Sequence, residues 1–340
     1  MTELIIENIG KEEYDVGNKK IGPNVIEATI NGVTFQFPDA VAIQSEISKA
    51  EKIKIPIYTK LIQYFYQVQK RYPITNEYYK KIITDRFLDL MAKYPNHIID
   101  INFDFIKEHI ITTKEINAIL QIQKDVKSTF LSIIEPNKEQ SLEDFISQLE
   151  SIDNPNKQII CPGIDLDTKT PGLFVKKLEY IIEEKYPRFN VKYSSLYTRY
   201  NNWLDMSERI FGKDIWCNVT SIPRGIFNGF PPYRSLLACT FLYGVHTASH
   251  GYGRRPMISG ENNIEIKKPS EYTKRLFDPK SFYYNDSDLS YDQCTVKSLN
   301  NICSELDKVR QHIIDETFVT KYLPKRDGLL DELNDLKGRM

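Results

Sequence analysis

The run His97-Ile98-Ile99-Asp100-Ile101-Asn102-Phe103, a helical pattern over 113 to 126, and the run Thr129-Phe130-Leu131-Ser132-Ile133-Ile134 decide the fold class. The same alternation continues with a helical pattern over 141 to 151 and the short run Gln158-Ile159-Ile160-Cys161. Short β-branched runs separated by single amphipathic helices are the pattern of parallel strands joined by crossover helices. The helices carry boundary signals of their own. Ser141-Leu142-Glu143-Asp144 opens one, and Pro171 suits the first helical position of another over 171 to 185. Asn76 to Tyr94 forms a further helical pattern that Pro95-Asn96 ends.

Outward from this centre the pattern holds in both directions. Toward the N-terminus, Ala40-Val41-Ala42-Ile43 reads as a short buried strand, and 57 to 71 as a helix with Leu61, Ile62, Phe65 and Val68 on one face. Toward the C-terminus, 191 to 196 and 215 to 221 are strand-like and precede helical patterns over 200 to 211 and 234 to 244. Seven or eight strands at intervals of about 25 to 35 residues, without a Gly-x-Gly-x-x-Gly loop after the first, predict a (β/α)8 TIM-barrel-like fold in preference to a doubly wound sheet. Residues 22 to 37 alternate around Asn31-Gly32 as a β-hairpin does. Leu299, Ile302, Leu306, Val309 and Ile313 recur at helical spacing over 296 to 320, and a last amphipathic helix is expected over 325 to 338. The expected division is an N-terminal hairpin extension over 1 to 38, a barrel over 39 to 294 and C-terminal helices over 295 to 340.

Composition limits the function classes. The 340 residues hold 45 Lys and Arg against 46 Asp and Glu, so a net charge of -1 supplies no global attraction to nucleic acid or anionic membrane. No apolar window approaches the roughly 18 residues of a membrane span, and no basic and apolar leader opens the chain, which predicts a cytoplasmic protein. Cys161, Cys217, Cys239, Cys294 and Cys303 form no C-x-x-C pair and read as reduced thiols.

In a barrel the strands end at the active site, so the polar residues after each apolar run are the candidates for chemistry. These are Asp100 and Asp104, Glu135, Asp165 and Asp167, Arg199 and Arg224. The four aspartates are expected to supply acid/base or nucleophilic carboxylates, with Glu135 and the arginines binding a polar ligand. The alternative is that these loops are polar only because they meet solvent and helix N-termini. The segment 244 to 255 is the densest polar stretch. Its His246 and His250 stand four apart without the glutamate of an H-E-x-x-H motif, and its Arg254 and Arg255 follow Gly251-Tyr252-Gly253 as a loop meeting phosphate or carboxylate would. Neither a cofactor nor a bound metal is expected.

Gly244-Val245-His246, then Gly260-Glu261-Asn262-Asn263-Ile264-Glu265-Ile266-Lys267, then Tyr291-Asp292-Gln293-Cys294 follow one another in an order that resembles the last-strand region of the tRNA-guanine transglycosylase superfamily. The resemblance spans 243 to 294 and implies a barrel enzyme that exchanges a purine for guanine or a 7-deazaguanine in tRNA or DNA. It implies one aspartate that attacks the sugar carbon and a second that serves as acid/base. Asp100 or Asp104, and Asp165 with Asp167, would correspond to the acid/base and base-recognition carboxylates. The chain departs from the family pattern where Ser249 stands at the nucleophile's position, His246 at another acidic one, and Cys294 alone remains of a Cys-x-Cys-x-x-Cys zinc motif. Asp-Ser-Gly-Gly and Gly-Gly-Leu signatures are missing from the sequence. Two other readings stay open: a nucleic-acid-binding subunit without catalysis, and an unrelated small-molecule enzyme assisted by a metal at His246 and His250.

Overall fold

The computed structural model describes residues 4–30, 32–68, 73–105, 112–126, 130–134, 140–152, 160–166, 170, 172–193, 200–221, 243–249, 258–259, 265–266, 290–326, 330, 333–334 and 337. The chain opens with β1 (Leu4–Lys11), the small hairpin β2 (Tyr14–Val16) and β3 (Lys19–Ile21), and the longer hairpin β4 (Asn24–Ile30) and β5 (Val33–Phe37). Gly32 turns that hairpin with φ 81°, the left-handed conformation its turn requires. β4 also pairs antiparallel with β1, so the hairpin expected from the sequence is two thirds of a three-stranded sheet in the order β1-β4-β5.

Eight parallel strands follow. They are β6 (Asp39–Ile43), β7 (Leu61–Val68), β8 (Ile98–Phe105), β9 (Phe130–Ile134), β10 (Ile160–Asp165), β11 (Arg188–Tyr193), β12 (Trp216–Ser221) and β13 (Thr247–Ser249). Helices α1 (Gln44–Ile53), α2 (Glu77–Lys93), α3 (Thr113–Val126), α4 (Leu142–Glu150), α5 (Leu173–Glu183) and α6 (Tyr200–Ile210) follow the first six of these in turn. The long α7 (Tyr291–Ile314) comes near the C-terminus, opened by a capping box in which Ser290 and Gln293 satisfy each other's backbone N–H groups.

The architecture is mixed α/β and corrects the expected (β/α)8 TIM-barrel-like fold. Among the described residues the parallel strands fall into two runs and show no uniform eight-fold β/α repeat. Two five-strand runs share β6 and β10, and each shared strand divides its length between neighbours. Asp39 and Ala40 pair with β13 whereas Val41 to Ile43 pair with β7. Ile160 to Pro162 pair with β9 whereas Gly163 to Asp165 pair with β11. The two runs meet at those strands and close a ring. Separate antiparallel sheets of two and three strands stand outside the ring.

Two local readings also change. Residues 61 to 68 form a strand, not the expected helix; the helix of that unit is α1, immediately before it in the chain. Leu61, Ile62, Phe65 and Val68 of this strand fall at three- and four-residue spacing and so imitate a helical stripe. β11 and β10 are each displaced from the expected runs, which brings Arg188 inside a strand and makes Asp165 a strand end. The helical patterns expected over 234 to 244 and 325 to 338 lie wholly or largely outside the described residues.

The core has two parts. Outward-facing strand residues such as Ile62, Ile99, Ile101, Phe189, Val191, Cys217 and Val219 pack with the helices in one large cluster. A second cluster joins Leu4, Ile6, Ile26, Ala28, Ile30, Phe35 and Phe37 of the N-terminal sheet to Val41, Leu61, Ile98 and Trp216, which stand at or near the beginnings of their strands. The N-terminal sheet therefore covers the end of the ring where the parallel strands begin. Gly244 lies against this sheet with φ 68°, and a side chain there would come within 2.8 Å of Asn24 Nδ2 and the Gly22 carbonyl.

Candidate functional site

Strand residues alternate sides, so the neighbours of the outward-facing set point into the ring. On the described strands these include Gln63, Asp100, Arg188, Asn190, Asn218 and Thr247, each at most 1% exposed. Closed parallel rings ordinarily fill this space with branched apolar side chains, so a polar interior is the distinctive property of the molecule.

Three of these residues form a directed chain with Trp216. The indole Nε1–H donates to Thr247 Oγ1 at 2.8 Å, the Thr247 hydroxyl donates to Asn218 Oδ1 at 2.7 Å, and Asn218 Nδ2 donates to Asn190 Oδ1 at 2.7 Å. An indole can only donate, so Thr247 must accept and then spend its one proton on an oxygen of Asn218. The orientations of both amides follow from that first donor. Hydrogen bonds that run in one direction polarise one another and hold the side chains in a single arrangement.

Below this chain lies an ion pair. Arg188 Nη2 donates to Asp100 Oδ2, both side chains being 1% exposed. β8 and β11 are not adjacent in the ring, so the pair crosses the interior. Burial pushes the Asp100 carboxyl above its ordinary value, against the pull of the guanidinium. The Arg188 guanidinium also lies 4.3 Å from the centre of the Trp216 ring, which stacks on Phe37 at 4.5 Å. Gln63 is register partner to Asp100 on the neighbouring strand. Among the described residues, Gln63 Nε2 and Oε1, Asp100 Oδ1, and Arg188 Nε and Nη1 have no hydrogen-bond partner. An atom of this kind costs about 1–3 kcal/mol when left dry.

The structure sorts the residues expected from sequence. Asp165 ends β10 and is half-buried, and its row of register partners runs through Lys192 and Thr220 to Ser249, the last residue of β13. Asp104 is the seventh of eight residues in β8, also near the strand's end. Asp100 is a correction: it is the third residue of that strand, in its beginning half, and is committed to Arg188. His246 is a second correction. It lies on the opposite side of its strand from Thr247, fully buried, with Nδ1 accepting from the Cys217 N–H at 3.0 Å. Burial lowers its pKa from 6.5 to about 3, so the ring is neutral and carries its proton on Nε2. Asp167, Glu135, Arg199, Arg224, His250, Arg254 and Arg255 lie outside the described residues. Among the described residues no three His, Cys, Asp or Glu side chains gather as a metal site. No helix among them is long and apolar enough to cross a membrane.

Sequence reasoning missed Arg188, Gln63, Asn190 and Asn218. Their signal is present in Arg188-Phe189-Asn190-Val191, where polar residues alternate with apolar ones, although that pattern ordinarily marks a strand with one face in water. No protein-family model matches the chain, and no curated protein matches it.

Proposed function

We propose that the ring acts on a nucleobase or nucleotide-like ligand that enters where the parallel strands end, with guanine or 7-deazaguanine exchange in tRNA or DNA as its reaction. The observation that carries this reading is the directed chain from Trp216 through Thr247 and Asn218 to Asn190. Bases present fixed patterns of donors and acceptors on planar edges, and amide side chains held in one orientation are the groups that read such edges. Asp165 at the strand end supplies a carboxylate, with Asp104 on β8 as its partner and Asp167 two residues further along the chain. In base exchange one carboxylate attacks the sugar carbon, and the glycosidic bond breaks with its electron pair leaving on the departing base, which takes a proton from the second carboxyl. The incoming base then gives its ring N–H proton to the second carboxylate and displaces the first from the same carbon, which restores both groups. The five cysteines include no C-x-x-C pair and Cys161, Cys217 and Cys303 are buried, which supports a reducing, cytoplasmic setting.

The test is incorporation of labelled guanine and labelled 7-deazaguanine into bulk tRNA and, separately, into DNA, with Asp165→Asn/Asp167→Asn as control. Incorporation by the wild-type chain that the control loses is the expected result. Failure with both polymers would refute active exchange. Ser249, in place of the aspartate that the resemblance calls for, favours a second reading: a subunit that binds nucleic acid without altering it. That reading predicts steeply salt-dependent binding of RNA or DNA that is recovered unchanged.

A further inference from the structure

We propose that the beginning half of the ring interior, around Gln63, Asp100 and Arg188, is a binding site for a small uncharged planar group in which a carbonyl adjoins an N–H, as in a carboxamide, a urea or a lactam. This site is separate from the row Asp165–Lys192–Thr220–Ser249 at the strand ends and does not depend on which reaction occurs there.

The argument begins with the unpartnered atoms. Three of them donate, namely Gln63 Nε2, Arg188 Nε and Arg188 Nη1, and two accept, namely Gln63 Oε1 and Asp100 Oδ1. They belong to three fully buried side chains that meet in one part of the interior: Gln63 and Asp100 are register partners, and Arg188 reaches Asp100 across the ring. A group that answers this set carries both acceptor and donor atoms, with acceptors in excess, and a carbonyl with two lone pairs beside an N–H has that balance. Gln63 itself offers such an edge, and two amide edges pair head to tail through two hydrogen bonds in one plane.

Charge narrows the class further. The Asp100 carboxylate and the Arg188 guanidinium already compensate each other, so an added carboxylate or ammonium would leave a net charge enclosed away from water. An uncharged ligand avoids that penalty. Aromatic stacking favours a flat one, because the guanidinium is itself the upper layer of a stack with Trp216 and Phe37.

The experiment uses the full-length protein and two probes of nearly the same shape, acetamide and acetate, followed by saturation-transfer NMR with titration at millimolar concentrations. Acetamide is expected to bind saturably, and acetate about tenfold more weakly or not at all, the penalty for an uncompensated charge. Gln63→Leu is expected to abolish acetamide binding while its urea unfolding curve remains at or beyond that of the wild type, since an unpaired buried amide has been replaced by an apolar group of similar size. Gln63→Met serves the same purpose if the leucine variant does not fold. The wild-type ranking of the two probes needs no variant. Equal binding of acetamide and acetate, undiminished acetamide binding by a folded Gln63 variant, or no binding of either probe would overturn the proposal, the last result meaning that water alone satisfies these atoms.

Discussion

Replacing His246 with asparagine should remove a specific part of the protein's sensitivity to acid. The imidazole is fully buried, and burial lowers its pKa from 6.5 to about 3. Above pH 6.5 the residue is neutral in both folded and unfolded chains and contributes nothing to pH dependence. Below 6.5 the unfolded chain binds a proton that the folded one refuses, so stability falls as the pH drops from 6.5 toward 3 and levels off below that. With about 1.36 kcal/mol per pH unit, the loss between about pH 7.5 and pH 5 is about 2 kcal/mol. In the His246→Asn variant the amide oxygen would sit where the imidazole Nδ1 accepts from the Cys217 N–H, so the new side chain keeps that hydrogen bond and does not titrate. Any cost of the smaller side chain is the same at each pH and cancels in the comparison. Asp39 acts in the opposite direction in this range. Burial raises its carboxyl to about 6, so the folded chain takes up its proton first and gains stability as pH falls from about 6 toward 3.8. That contribution is common to both proteins and also cancels. Urea unfolding of both proteins at about pH 7.5 and pH 5 reads the difference. The wild type should lose about 2 kcal/mol more than the variant; an equal loss in both, or an imidazole that titrates near 6.5 in the folded protein by NMR, would refute the reasoning.

Asp100→Asn should cost about 3–5 kcal/mol in urea unfolding because Arg188 is left as an uncompensated buried charge, whereas Asp100→Leu/Arg188→Met should recover most of that loss. A single substitution costing under about 1 kcal/mol would mean that water reaches the pair. Thr247→Val strands the Trp216 indole N–H and Asn218 Oδ1 together, and is expected to lower stability by about 1–3 kcal/mol by thermal or urea unfolding. Glu12 accepts from the backbone N–H groups of Phe318 at 2.5 Å and Val319 at 2.7 Å, so Glu12→Ala should speed hydrogen exchange over 318 to 323 while leaving the amides of β7 and β8 protected.

How much of this is legible in the sequence depends on which side of a strand a residue occupies. Helices α2, α3, α4 and α6 follow the 3.6-residue pattern, and caps such as Asn76 and Ser141 fall where their residue types suggest. Residues 61 to 68 defeat the same reasoning because Leu61, Ile62, Phe65 and Val68 fall at helical spacing, although Ile62 and Tyr64 face the helices while Leu61 and Gln63 lie on the ring side. At the candidate site the difficulty is reversed. Asn190 and Asn218 look like solvent-facing residues on half-exposed strands, and only closure of the ring turns those faces inward. Asp100 resembles a strand end because its strand runs five residues past it, through Asn102 and Asp104, polar residues that imitate a loop. His246 shows the same limit: a histidine in a glycine-bounded polar segment suggests a ligand, while its burial depends on Cys217, 29 residues earlier.

The N-terminal sheet also sets an order of events during synthesis. β1, β4 and β5 are near neighbours in the chain and can pair as soon as residue 37 has emerged, yet their apolar face packs on Val41, Leu61, Ile98 and Trp216. Closure of the ring waits longer still, for Thr247 to reach Asp39. Contacts of such large sequence separation form slowly. The apolar face of the sheet is therefore completed only after residue 216 has been translated, about 180 residues after the sheet's own strands.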